Sequence, residues 1–173
     1  MSQTIAIIDF GSQYTQLIAR RIRELGVFSQ IHAPSITHNE LSAMEPAAII
    51  FSGGPASIDD EDAPHPDPKI LELNIPILGI CYGMHWLAHF EGGKVGHSDR
   101  REYGKANISI ERQSPLLPQQ VDSSQVWMSH GDHVDAVPES YEVLAVSDST
   151  VAAIGSATKQ RYALQFHPEV THT

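Results

Sequence analysis

A chain of 173 residues is long enough to bury a substantial core without covalent staples. Eleven lysines and arginines against twenty-one acidic residues give a formal charge of −10, which repels nucleic acid and anionic membrane and points to a small-molecule substrate or a protein partner. One cysteine excludes an internal disulfide, and with neither a signal peptide nor a bilayer-length apolar run the sequence reads as a cytoplasmic, single-domain protein over residues 1–173.

Residues 4–10 form an apolar run that ends at Gly11, as a buried strand would. Tyr14, Ile18, Ile22 and Leu25 then recur at helical spacing, with Gly26 as the stop. Residues 27–32 read as a weaker second strand. Thr37 and Glu40 form a capping box that starts a short helix, and residues 47–51 are the third strand. Ser52-Gly53-Gly54-Pro55 follows directly, a turn without bulk whose N–H groups are free to face a ligand. Five acidic residues and three prolines in 56–68 predict an exposed irregular loop, with a short helix at 69–73 behind it.

The next segment organises the chain. Residues 77–80 read as a buried strand, and Met84, Trp86, Leu87 and Phe90 suit a helix that stops at Gly92-Gly93. Cys81 sits at the junction between Gly79 and Gly83, the thiol counterpart of a strand-turn-helix nucleophile elbow. Glycine is required on both flanks because neighbouring side chains collide in so tight a turn. The sulfur is set at a helix N-terminus, where unpaired N–H groups and the helix dipole favour a thiolate. Four alternations of strand and helix predict an α/β fold: an open, mainly parallel or mixed sheet, helices on both faces, ligands at the carboxyl ends of the strands.

After Gly93 the pattern changes to short strand-like runs at 106–110, 125–128, 142–147, 151–155 and 161–166, which predict a smaller antiparallel part. The last run delivers His167-Pro168-Glu169. Proline ends the pairing, and residues two apart in extended chain point the same way, so His167 and Glu169 are candidates for a base and its orienting carboxylate. The polar stretch 127–133, with His130, Asp132 and His133, lacks the spacing of recognised zinc sites and reads as a substrate-contacting loop or a hydrogen-bonded turn, with no metal.

Gly79-Ile-Cys81-Tyr-Gly83, Ser52-Gly-Gly-Pro55 and His167-Pro-Glu169 together resemble the class I (triad) glutamine amidotransferases, whose fold is flavodoxin-like. Asp9-Phe-Gly-Ser-Gln-Tyr14, Met128-Ser-His-Gly-Asp132 and Arg101-Glu-Tyr-Gly104 narrow the resemblance to the glutaminase domains of GMP synthetases, over essentially the whole chain. The resemblance implies that Cys81 attacks the side-chain amide of L-glutamine, that His167 is acid and base, and that Glu169 orients it. It implies an oxyanion hole from the N–H groups of Gly54 and Tyr82, and substrate contacts from Gly53, His85, Ser129, His130 and Gly131. No cofactor is implied in this domain. ATP and Mg belong to a partner synthetase domain or subunit, an ATP pyrophosphatase that receives the ammonia and converts XMP to GMP.

The sequence departs from the family pattern in three places. Residue 85 is histidine where the family carries glutamine, which predicts weaker substrate binding or a second titrating group near the thiol. The sequence ends four residues after Glu169, where such domains continue through a further strand and helix, and no pyrophosphatase loop occurs. A shortened glutaminase unit that does not make GMP alone is therefore expected, as an excised domain or a separate subunit. The alternative is a regulatory or binding module of the same fold with little turnover.

Overall fold

A computed structural model describes residues 3–117, 120–148, 150–171 and 173. Nine strands form one sheet in the order β2-β1-β3-β4-β9-β8-β7-β5-β6. The first five of that order run parallel: β2 (Phe28–His32), β1 (Thr4–Ile8), β3 (Ala48–Phe51), β4 (Ile77–Ile80) and β9 (Arg161–Leu164). The rest are antiparallel: β8 (Thr150–Ser156), β7 (Glu142–Ser147), β5 (Lys94–Ile110) and β6 (Ser123–Ala136).

The parallel strands are apolar almost without interruption because both of their faces are covered. Ile7, Ile50 and Ile80 point to one face, where Ile18, Ala19 and Ile22 of α1 (Thr15–Glu24) pack on them. Ala6, Ile8, Ile49, Phe51 and Ile77 point to the other, against α3 (Tyr82–Phe90) and Leu41 of α2 (His38–Met44). Every residue of α3 from Tyr82 to Ala88 is buried, as expected of a helix that is apolar on all sides. Its aromatic residues anchor the layer: Phe51 and Trp86 have centroids 4.7 Å apart, and Phe10 meets Tyr82 edge-on at 4.9 Å. None of the described helices is long and apolar enough to cross a membrane.

Local signals account for the boundaries. The capping box of α2 is complete, with Glu40 N–H donating to Thr37 Oγ1 at 3.2 Å and Thr37 N–H donating to Glu40 Oε2 at 2.7 Å. The acidic, proline-rich segment 56–67 holds no regular element, and Pro68–Glu72 is one short 3-10 turn.

The antiparallel half is larger than the sequence predicts. β5 spans 17 residues and β6 spans 14, and together they make a long ribbon whose register shifts between His97 and Glu102. Segment 94–105 hides its strand character because its side chains are mainly polar or glycine, which removes the alternation that marks a half-buried strand. The stretch 127–133, expected as a loop or turn, is also strand. Val126, Met128, His130 and Val134 are all buried, so the inward positions include a histidine. That histidine is what disguised the period.

The chain ends of β1, β3, β4 and β9 meet at one edge, at Phe10, Ser52, Cys81 and Gln165. Ser52 ties three of them together: its hydroxyl accepts from Phe10 N–H at 2.9 Å, its carbonyl accepts from Gly83 N–H at 3.1 Å, and Cys81 N–H donates to Leu164 carbonyl at 2.7 Å. A Cβ on Gly79 would lie 2.6 Å from Gly83 carbonyl oxygen and 2.9 Å from Met84 nitrogen, both backbone atoms unable to step aside. Gly79→Ala is expected to lower stability by about 1–3 kcal/mol. Gly131→Ala, whose Cβ meets only the Arg101 side chain at 3.4 Å, should cost much less. Thermal denaturation of the two variants checks this, at about 2–4 °C per kcal/mol.

Candidate active site

Cys81 adopts φ 51° and ψ −108°, a conformation that residues with a side chain rarely take. Its carbonyl accepts from Met84 and His85 N–H at 2.9 and 3.2 Å, so the helix begins immediately behind the sulfur. Gly83 lies against Phe51, where any Cβ would strike the Phe51 carbonyl oxygen. The sulfur is 3.4 Å from the Ser129 carbonyl oxygen and 3.8 Å from Gln165 Nε2.

His167 follows β9, with its N–H bonded to the Trp127 carbonyl at 3.0 Å and its ring edge-on to Tyr14 at 5.3 Å. Its Nδ1 is 2.7 Å from Glu169 Oε1, and both side chains are buried. A Cβ on Gly53 would sit 2.8 Å from His167 Cε1 and 3.4 Å from Cys81 Cβ, so the histidine and the cysteine press on the same bare residue. Burial opposes charge on His167. Hydrogen bonds to the Cys81 sulfur and to Glu169, together with their negative charges, outweigh it and raise the imidazole to about 9. Glu169 Oε2 is buried and has no hydrogen-bond partner among the described residues.

Gly54 and Tyr82 both line the cavity of about 780 Å³ above Cys81, together with His85, Ser129, His130 and Gly131. A Cβ on Gly54 would run into the Phe10 carbonyl oxygen, which explains the bare turn after β3. His130 is less available than the sequence implies: Nδ1 is 2.8 Å from the Asp132 carbonyl oxygen and Nε2 is 3.1 Å from Glu102 Oε2. Burial lowers its pKa against those two hydrogen bonds. Across the mouth of the cavity, Ser57 donates to Asp132 Oδ2, and His97 bridges Asp132 at 2.8 Å and Asp59 at 3.3 Å, so loop 56–60 is pinned to the ribbon.

His85 is only 3% exposed, and its Nε2 lies 2.8 Å from Gln165 Oε1. Burial drives its pKa down to about 4 despite that hydrogen bond, so it is neutral at physiological pH and does not act as a second cation beside the sulfur. Gln165 was not legible as a site residue. The signal available is its alternation with Ala163 and His167, which places a polar side chain at a fully buried strand-end position. Among the described residues no three His, Cys, Asp or Glu side chains converge as a metal site would.

Comparison with known proteins gives a consistent picture. The profile of the glutamine amidotransferase class-I family matches residues 6–173. The chain is 52% identical over 171 residues to the glutamine-hydrolyzing GMP synthase of Bacillus cytotoxicus, covering 98% of this chain and 33% of that protein. It is 52% identical over 174 residues to the Solidesulfovibrio magneticus protein of the same name, covering 98% and 34%. The chain thus spans about a third of the length of these curated relatives. A crystal structure of a Thermoplasma acidophilum protein described as a GMP synthase subunit superposes with a TM-score of 0.87 at 31% identity, covering 100% of this chain and 87% of that one. Because the profile match extends over the strands that carry both Cys81 and His167, the chain belongs to the glutamine amidotransferase class-I family.

Proposed function

We propose that this chain is a glutaminase unit that hydrolyses L-glutamine to glutamate and ammonia through Cys81, His167 and Glu169. The observation that carries the reading is the strained elbow at Cys81 facing a histidine held by a buried carboxylate at 2.7 Å. The Cys81 thiolate attacks the amide carbon of the glutamine side chain, and the N–H groups of Gly54 and Tyr82 hold the oxyanion. Imidazolium His167 gives its proton to the departing nitrogen, which leaves as ammonia and a glutamyl thioester. Neutral His167 then takes a proton from water as it attacks the thioester, and glutamate departs with the thiolate restored. Glu169 holds the ring in orientation through Nδ1, leaving Nε2 for the transfers.

The cavity wall from Ser129 to Gly131, with His85, receives the amino-acid end of the substrate, and Gly53 lies against Cys81 and His167. Names of the relatives support a destination for the ammonia in GMP synthesis; the family resemblance supplies the rest of the proposal, a synthetase domain or subunit that uses ATP and Mg to convert XMP to GMP. The glutamine-hydrolyzing synthases are about three times longer than this chain, and the Thermoplasma protein is called a subunit. The low-turnover alternative draws on His85, whose side chain is turned into the protein toward Gln165.

Cys81→Ala should abolish both ammonia release and labelling by a glutamine-like electrophile, and labelling that persists in the variant would assign the nucleophile elsewhere. His167→Ala should lose about 10²–10⁴ in turnover. Glu169→Ala should lose less, and the double variant should be no worse than His167→Ala alone. A steady-state ammonia assay with and without the synthetase decides between the two readings: glutaminase activity predicts a rise of about 5- to 150-fold on addition of the partner, the alternative no turnover in either.

Stability should peak near neutral pH. His167, raised to about 9, contributes stability that is complete below its ordinary value of 6.5 and fades as pH rises through 9. His85, lowered to about 4, works in the opposite sense: the unfolded chain takes up the proton first, so stability falls as pH drops from 6.5 to 4. Thermal melting across this range should therefore show a shallower acid limb in His85→Gln and a shallower alkaline limb in His167→Ala.

A further inference from the structure

We propose that His85 and Gln165 form a positioning pair that fixes an amide N–H donor on the sulfur of Cys81. The inference rests on the reading of Cys81 as the nucleophile. His85 Nε2 is 2.8 Å from Gln165 Oε1, and Gln165 Nε2 is 3.8 Å from Cys81 Sγ. All three side chains are buried, Gln165 completely, which strengthens the contacts between them. A thiolate accepts hydrogen bonds and cannot donate, so the Gln165 amide is useful only with its NH2 group toward the sulfur. Turned over, it would set a carbonyl oxygen against the negative charge.

His85 decides between the two orientations. A neutral imidazole whose Nε2 carries the proton donates to Oε1 and accepts nothing there, which leaves the NH2 group pointing at Cys81. The Ser129 carbonyl, 3.4 Å from the sulfur, serves the complementary state, because only a protonated thiol can donate to it. The sulfur thus has an acceptor for its protonated form and a donor for its ionised form, in addition to the helix N-terminus and His167. The titratable groups around the pair are His167 and Glu169 after β9, and Asp132, His130 and His133 of β6.

His85 and Gln165 are positioning residues in this scheme. Their effect on the ionisation of the nucleophile is separable from any contact that His85 makes with glutamine across the cavity. Iodoacetamide reaches Cys81 through the cavity it lines and requires no glutamine turnover, so alkylation isolates the effect. Gln165→Leu should slow alkylation near neutral pH by about two- to tenfold and leave the rate in strong alkali, where any thiol is ionised, unchanged. His85→Phe should show the same pattern, and the double variant should be no slower than Gln165→Leu. Gln165→Met replaces the leucine variant should that one not fold. Parent-like rates near neutral pH, or a double variant whose loss is the product of the single losses, would overturn the pairing and leave the glutaminase reading intact. A parent chain that alkylates as expected yet never releases ammonia would do the reverse.

Discussion

Cys81 is held in a backbone conformation worth about 1–3 kcal/mol of strain, and much of the surrounding structure exists to hold it there. Its N–H is fixed to β9 through the Leu164 carbonyl, its carbonyl starts α3, and the glycines on either side sit against backbone that tolerates no Cβ. Ser52 couples the same helix start to the ends of β1 and β3. Release of any one contact would let the turn relax and swing the sulfur away from His167. The buried aromatic layer of Phe10, Phe51, Tyr82 and Trp86 gives α3 no freedom to follow such a movement.

Two histidines flank the sulfur, and their surroundings drive them apart. His167, buried yet bonded to a carboxylate, is raised to about 9, whereas His85, buried against an amide, is lowered to about 4. One side of the sulfur therefore faces a protonated imidazole, and the other a neutral histidine-glutamine pair. Under the proposed mechanism, this separation assigns the acid to His167 and leaves His85 neutral. It depends on partners placed by tertiary structure: Glu169 from beyond β9 and Gln165 from its end.

Glycine spacing around Cys81 and the strand-ending proline at 168 made the turn at Cys81 and the side-by-side placement of His167 and Glu169 readable in the sequence, because both patterns are local. The parallel half was readable for the same reason: apolar runs and a capping box are short-range signals. What escaped was set by distant pairing. Segment 94–105 becomes strand only because β6 lies beside it, and 127–133 looked like a loop because an inward histidine replaced the expected apolar residue. The fates of His85 and His130 also required coordinates, since Gln165 and Glu102 lie 80 and 28 residues away in sequence.

The central claim is covalent chemistry at one sulfur. The direct measurement is rapid acid quench of the protein during turnover of glutamine, with its synthetase partner present, followed by mass spectrometry of the intact chain and its peptides. The account predicts a glutamyl group on the peptide that carries Cys81, lost on return to neutral pH and absent when Cys81 is alanine. Steady ammonia release with no adduct on Cys81 at any quench time, or with the adduct on another residue, would contradict it.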